Sequence, residues 1–168
     1  QMVEKILESS TLNQEDLILV KEPVNIVELI EHLIKKYKFI NTDKTFTFKH
    51  NINSKTIHLD KFHFENAIGN IIDNSVKYGG DRISIELIVN ESNIILNFTD
   101  SGNGISKSQK DKVFEQFYRI PTGNTHDVKG FGIGLYYTKS IIEKHHGNIN
   151  ITYDNNHKTH INIKLINE

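Results

Sequence analysis

A two-layer α+β sandwich is the fold this sequence predicts, and three observations predict it. Amphipathic segments of helical length alternate in blocks with pairs of short β-branched segments, as expected when helices cover a sheet built largely from hairpins. The 168 residues suffice for one domain with a substantial core. Hydrophobic residues at 37% and charged residues at 24% fit a globular chain.

Charge and composition exclude several functions. A formal net charge of −1 gives no basis for a nucleic-acid or membrane surface. No apolar run approaches the roughly 18 residues of a membrane span, and the first residues carry no signal-peptide pattern. The absence of Cys excludes disulfides and thiolate metal sites and fits a reducing compartment. The nine His are scattered and form no H-E-x-x-H or similar metal spacing.

The elements follow in order. Met2, Val3, Ile6 and Leu7 stand at helical spacing, like the last turns of a longer helix. A polar stretch then becomes extended up to Pro23. Asn25 is a candidate N-cap with Glu28 three residues on, ahead of the apolar stripe Ile26, Leu29, Ile30, Leu33 and Ile34. KTFTFKHNI and KTIHLD read as strands. Asp60 precedes a helix over Lys61 to Tyr78, which Gly79 and Gly80 stop. RISIELIVN and NIILNFTD form a hairpin, and KSQKDKVFEQF is predicted as a short helix. Residues 119–130 have no period and form a long loop, of the kind that is usually functional or mobile. A helix beginning among glycines runs to Gly147, and a strand pair closes the chain.

Within the long helix, GNIIDNSVKY places Asn70, Asn74, Lys77 and Tyr78 within an arc of roughly 100°. Ile68, Ile71, Ile72 and Val76 fall on the opposite arc. One face suits a core and the other suits something polar. The plain alternative is a solvated face, since the chain holds 19 Asn.

Two glycine clusters add to this. Asp100-x-Gly102-x-Gly104-Ile105 follows a strand directly, and Gly130-x-Gly132-x-Gly134-Leu135 opens a helix. Glycines admit close backbone approach, and a helix N-terminus favours phosphate. Each cluster alone is equally a tight turn or a cap. The P-loop pattern is absent, the glycines stand in the wrong place for a dinucleotide fingerprint, and no G-x-S-x-G occurs.

The order of these pieces is more specific than any one of them. With VFEQFYR (Val113 to Arg119) between the two glycine clusters, the chain from about Leu17 to Ile166 resembles the catalytic ATP-binding domain of bacterial sensor histidine kinases. Those proteins share their fold with type II topoisomerase, mismatch-repair and heat-shock chaperone ATPases. The resemblance implies a Bergerat-type sandwich, with a mixed, mostly antiparallel sheet and three main helices on one face. It implies ATP and Mg2+ as cofactors. Asn74 would ligate Mg2+ through its amide oxygen, with Asn70 beside it, since this ion prefers oxygen. Lys77 would meet phosphate, and Tyr78 would flank the base or ribose. Asp100 would accept a hydrogen bond from the adenine amine, with Gly102, Gly104 and Ile105 close to the base. Phe114, Phe117 and Tyr118 resemble an aromatic box anchoring a lid over the nucleotide. Gly130, Gly132 and Gly134 would form the hinge of that lid and, with Leu135, the start of the next helix. Arg119 and Lys129 would contact phosphate.

Some positions depart from the family. Ser75 stands where Ala is usual, expected as a harmless volume change. The C-terminal NNHKTHINIKL lacks a glycine-rich turn, expected to alter a hairpin and not the site. No His carries the acceptor context H-E-[LF]-[KR]-T-P. Residues 1–16 are therefore expected to be the end of a phosphoacceptor hairpin and its linker, and residues 17–168 the catalytic domain. The implied partners are that hairpin, in cis or in trans within a dimer, and a response-regulator receiver domain. No nucleic acid and no direct membrane contact are expected, in a cytoplasmic setting. Two alternatives stay open: a stand-alone ATPase of this fold, and a degenerate nucleotide-binding module.

Overall fold

The structure is a computed structural model in which residues 17–121, 131–154 and 158–167 are described. The elements are β1 (Glu22–Asn25), α1 (Ile26–Ile40), β2 (Thr45–His50), β3 (Thr56–Leu59), α2 (Lys61–Tyr78), β4 (Arg82–Val89), β5 (Asn93–Asp100), α3 (Gly134–Lys144), β6 (Asn148–Tyr153) and β7 (Thr159–Ile166). The main sheet has five strands in the order β2-β4-β5-β7-β6. Among the described residues only the β2–β4 pair is parallel. β1 and β3 form a separate antiparallel ribbon.

Alternation builds the sheet's two faces. Ile83, Ile85 and Leu87 of β4 and Ile94, Leu96 and Phe98 of β5 are buried, while the residues between them are more exposed. Their apolar face shares one core with Ile26, Ile30 and Leu33 of α1, Phe64, Ile68 and Ile72 of α2, and Ile142 of α3. The helices therefore cover one face, as the resemblance implied. The other face carries Ser84, Glu86, Asn97, Thr99, His160 and Asn162.

Capping follows the sequence closely. Asn25 Oδ1 accepts from Val27 N–H, and its amide nitrogen donates to Glu28 Oε1 at 2.7 Å. Asp60 caps α2 by accepting from His63 N–H at 3.0 Å. The predicted helix over KSQKDKVFEQF is a correction: among these residues only a 3-10 turn forms, at Lys112–Phe114. Only Val113 and Phe114 are buried there, and two apolar contacts do not offset helix nucleation. α3 also ends earlier than expected, at Lys144, with His145 as its C-cap and His146 at φ 59°. The expected hairpin end at residues 1–16 lies outside the described residues, as does the loop interior at 122–130.

One polar cluster ties the start of α2 to the end of α3. Asp60 N–H donates to His145 Nε2 at 2.9 Å, so the ring proton lies on Nδ1, which donates to Ile141 O at 2.8 Å. The entering segment is held at the same place. Val20 N–H donates to Asp60 Oδ2, and Lys144 Nζ donates to Leu17 O. Burial holds the His145 pKa below its ordinary 6.5, aided by the nearby Lys21 and His63, while the Ile141 bond and the Asp60 charge oppose it. Burial acts against the Asp60 charge as well, yet the bonds from His63 and Val20 hold that carboxyl below the ordinary range.

Both shifts have the same sign. A depressed His pKa means the unfolded chain binds more protons, so stability is full above about pH 6.5 and falls as pH drops below it. The Asp60 contribution is lost further down, within the carboxylate range. Urea unfolding is expected to show stability falling from about pH 7.5 to about 5.5. His145→Gln should cost about 1 kcal/mol at the upper pH and flatten that slope. An unchanged slope would remove His145 as its source.

Candidate functional site

The polar face of α2 is the first component. Asn70, Asn74 and Tyr78 recur every four residues and so share one face. Lys77 and Tyr78 are exposed, Tyr78 at 50%. Asn70 Nδ2 donates to Gly134 O at 3.3 Å, and its amide oxygen accepts no hydrogen bond among the described residues. Asn74 is half-buried, and its amide has no hydrogen-bond partner among the described residues. An idle amide in that position is suited to a ligand. Ile68, Ile71 and Ile72 on the opposite face are fully buried.

The second component meets the first where α2 ends. A Cβ on Gly102 would stand 2.3 Å from Tyr78 O and 2.7 Å from Gly79 Cα. A Cβ on Gly79 would stand 2.4 Å from Asp100 Cγ. Both positions need glycine for room, so Gly79 does more than stop a helix. The Asp100 carboxylate sits half-buried in this junction. Its Oδ1 accepts from Gly102 N–H at 3.0 Å and its Oδ2 from the Ser75 hydroxyl at 3.0 Å. Ser75 is therefore not the neutral volume change expected from the sequence, because its hydroxyl is spent on Asp100.

The loop beyond Asp100 is fixed from β7. Ile105 N–H donates to Thr159 Oγ1 at 2.9 Å, and Gly104 leaves the space that this hydroxyl occupies. The C-terminal strand therefore supports the loop that leaves Asp100, while the turn expected to alter a hairpin and not the site falls at residues 155–157, outside the described residues. Ile105 is half-buried against the core.

The third component is the neck of the 119–130 loop. Phe114 is buried and Tyr118 packs against the core, whereas the Phe117 ring is 64% exposed. So two of the three rings expected as anchors pack into the core and the third does not. Phe117 and Gly132 both take left-handed backbone, at φ 66° and 70°, and Phe117 N–H donates to Gly132 O at 2.9 Å. The α3 start is tied to α2 by Thr138, whose hydroxyl meets Ala67 O at 3.0 Å and Gly134 O at 2.9 Å. Leu135 is half-buried against the core and Arg119 is exposed. Lys129 and Gly130 lie outside the described residues.

The structure thus sets Asn70, Asn74 and Tyr78 along the second half of α2, with Gly134 beside Asn70 and Asp100 and Gly102 at the helix end. Sequence reasoning missed Ser75, Thr138 and Thr159 as supports. Only Ser75 carried a signal, its departure from Ala. The donors fit a hard divalent cation shared with a phosphorylated ligand. Asn70 and Asn74 offer amide oxygens, and no cluster of three His, Cys, Asp or Glu exists among the described residues to hold a metal by itself.

Residues 59–167 match the family described as histidine kinase-, DNA gyrase B-, and HSP90-like ATPase. The chain is similar to the sensor protein RprX of Bacteroides fragilis, at 37% identity over 153 residues, covering 88% of this chain and 30% of that protein. It is similar to the sensor protein SrrB of Staphylococcus aureus at 31% identity, covering 98% of this chain and 29% of that protein. The chain thus spans about 30% of the length of these relatives. Among solved structures, a mycobacterial sensor histidine kinase, MprB, superposes with a TM-score of 0.72 at 26% identity, over 88% of this chain and 97% of that one. The histidine kinase AdeS of Acinetobacter baumannii superposes with a TM-score of 0.76 at 22% identity, over 99% and 77%.

The glycines of the neck are not equivalent. At Gly132 a Cβ would stand 2.7 Å from the Phe117 carbonyl carbon, in backbone that L side chains rarely adopt. At Gly134 the nearest atom is Asn70 Cγ at 3.5 Å, an ordinary contact. Gly132→Ala is expected to lower the urea unfolding free energy by about 1–3 kcal/mol. Gly134→Ala should stay within about 1 kcal/mol of the parent. Equal losses at the two positions would contradict this account.

Proposed function

The chain belongs to the histidine kinase-, DNA gyrase B-, and HSP90-like ATPase family, and from that premise we propose that it is the ATP–Mg2+-binding catalytic half of a sensor histidine kinase. The observation that carries the reading is the junction at the end of α2. An Asp100 carboxylate with open lone pairs stands beside a helix turn whose Asn74 amide has no partner among the described residues.

In this reading Asp100 accepts a hydrogen bond from the exocyclic amine of adenine. Guanine puts a carbonyl there and would be repelled. Gly102 and Gly104 let the loop approach the base, Ile105 packs against it, and Tyr78 flanks base or ribose. Asn70 and Asn74 would hold Mg2+ beside the triphosphate through their amide oxygens. Mg2+ would supply charge neutralisation on the phosphate oxygens. Lys77, Arg119 and Lys129 contribute positive charge on the phosphate side, and the Gly132–Leu135 stretch presents the α3 N-terminus to the phosphates. A His nitrogen on the separate helical hairpin attacks the γ-phosphorus. The new P–N bond forms as the bond to the β-γ bridging oxygen breaks, and ADP leaves. The phosphoryl group passes next to an Asp of a response regulator. The chain supplies positioning and charge, and the hairpin supplies the nucleophile. Residues 1–16 are assigned to the end of that hairpin and its linker, and residues 17–168 to the catalytic domain.

No helix among the described residues is long and apolar enough to cross a membrane, and we place this domain on the cytoplasmic side of a membrane-bound sensor. A stand-alone ATPase is disfavoured by Asn70. ATPases of this fold usually carry Glu there to activate water, and an amide is no base.

Asp100→Asn removes the charged acceptor and brings an amide NH2 donor up to the adenine amine. The expected loss in ATP affinity by titration calorimetry is on the order of 1.5–3 kcal/mol, with the circular dichroism spectrum unchanged. Equal affinities would remove Asp100 from the site. Incubated with γ-labelled ATP and kept from acid, the chain alone should take up no label. It should label a separately made hairpin bearing the acceptor His, slowly, because the linker's effective concentration is gone. Label on the chain alone would defeat the division of labour. Rapid phosphate release would favour the ATPase, and no nucleotide binding at all would favour the degenerate module.

A further inference from the structure

We propose that Ser75 is a positioning residue for adenine recognition, locking the Asp100 carboxylate in the orientation that presents a free lone pair to the exocyclic amine. The inference rests on the reading of Asp100 given above.

A Ser inside a helix usually turns its hydroxyl to solvent or back to the carbonyl four residues earlier. Ser75 is only 5% exposed, and its hydroxyl leaves the helix to reach Asp100 Oδ2, 25 residues on, at 3.0 Å. The second carboxylate oxygen accepts from Gly102 N–H, two residues along its own loop. These two bonds differ in what they fix. The Gly102 bond is local, so it travels with the loop whenever the loop shifts. The Ser75 bond ties the carboxylate to α2, the helix that carries Asn70 and Asn74. With both bonds made, the carboxylate cannot turn about Cβ–Cγ without losing one of them. Each oxygen has two lone pairs, so one on each stays open for a ligand. Gly79 leaves the room in which the carboxylate sits. The hydroxyl therefore sets the base-reading group in register with the phosphate-reading face of the same helix.

Removing the hydroxyl leaves the carboxylate held only by its own loop. The loss should fall on the amine contact and spare the phosphate contacts. The experiment compares binding of ATP with that of purine riboside triphosphate, which lacks the amine, both with Mg2+, by titration calorimetry. Parent, Ser75→Ala and Asp100→Asn chains are titrated. Ala removes one oxygen and adds nothing, and it favours the helix. The parent should prefer ATP. Ser75→Ala should reduce that preference about 3- to 10-fold, with affinity for the deamino analogue unchanged. If the parent binds ATP and Asp100→Asn loses it, while Ser75→Ala keeps the full preference, the positioning role is overturned and the site stands. An equal loss for both ligands in Ser75→Ala would mark the hydroxyl as a general structural support and also overturn it. Failure of the parent to bind ATP, or an unaltered preference in Asp100→Asn, overturns the site reading itself and this inference with it.

Discussion

Backbone meets backbone where the last turn of α2 touches the loop leaving β5, and the site depends on that contact. Gly102 lies against Tyr78 O and Gly79 Cα, closer than any side chain would allow. Two stretches more than twenty residues apart are thereby pressed together without side chains between them. The Asp100 carboxylate occupies the space that a Gly79 side chain would take. Its bonds to Ser75 and Gly102 belong to the same junction. Widening the gap by one methyl group would separate the carboxylate from the asparagine face.

Around this junction the supports come from distant parts of the chain. Thr138 joins the first turn of α3 to Ala67 of α2, which brings Gly134 beside Asn70. Thr159 reaches from β7 to Ile105 and holds the loop after Asp100 from its far side. Phe117 and Gly132 close the loop's neck by pairing two left-handed residues. Each support is a hydroxyl or a backbone group meeting a backbone group. Such bonds add modest net stability apiece, but they restrict position strongly because a buried polar group left unpaired is costly. The result is a rigid rim around idle polar groups, an arrangement suited to binding a ligand without reorganising.

The opposite ends of α2 and α3 do different work. There Asp60 and His145 join the two helices, while Val20 and Leu17 bring the entering segment onto the same cluster. The path into the domain is therefore anchored on the two helices that build the site.

The sequence by itself determined the elements and the inventory of chemistry. Helical and alternating periods marked the helices and strands. Asn25 caps the helix it was expected to cap, and Asp60, expected only to precede its helix, caps that one. The face Asn70–Asn74–Tyr78 was legible because periodicity is a local property of neighbouring residues. The predicted helix at KSQKDKVFEQF failed because its two buried residues give too little burial to sustain one, and burial is set by what the chain packs against. The parallel pairing of β2 with β4, the bond from Ser75 to Asp100, the Thr159 support and the need for glycine at position 79 were decided only by the tertiary structure. All join residues far apart in the chain, the strands through backbone alone and the others through a hydroxyl or a missing side chain, and none of these carries a periodic signal. A serine on a helix reads the same in sequence whether its hydroxyl meets water or a carboxylate 25 residues away. What separates the two cases is the closeness of the packed backbones.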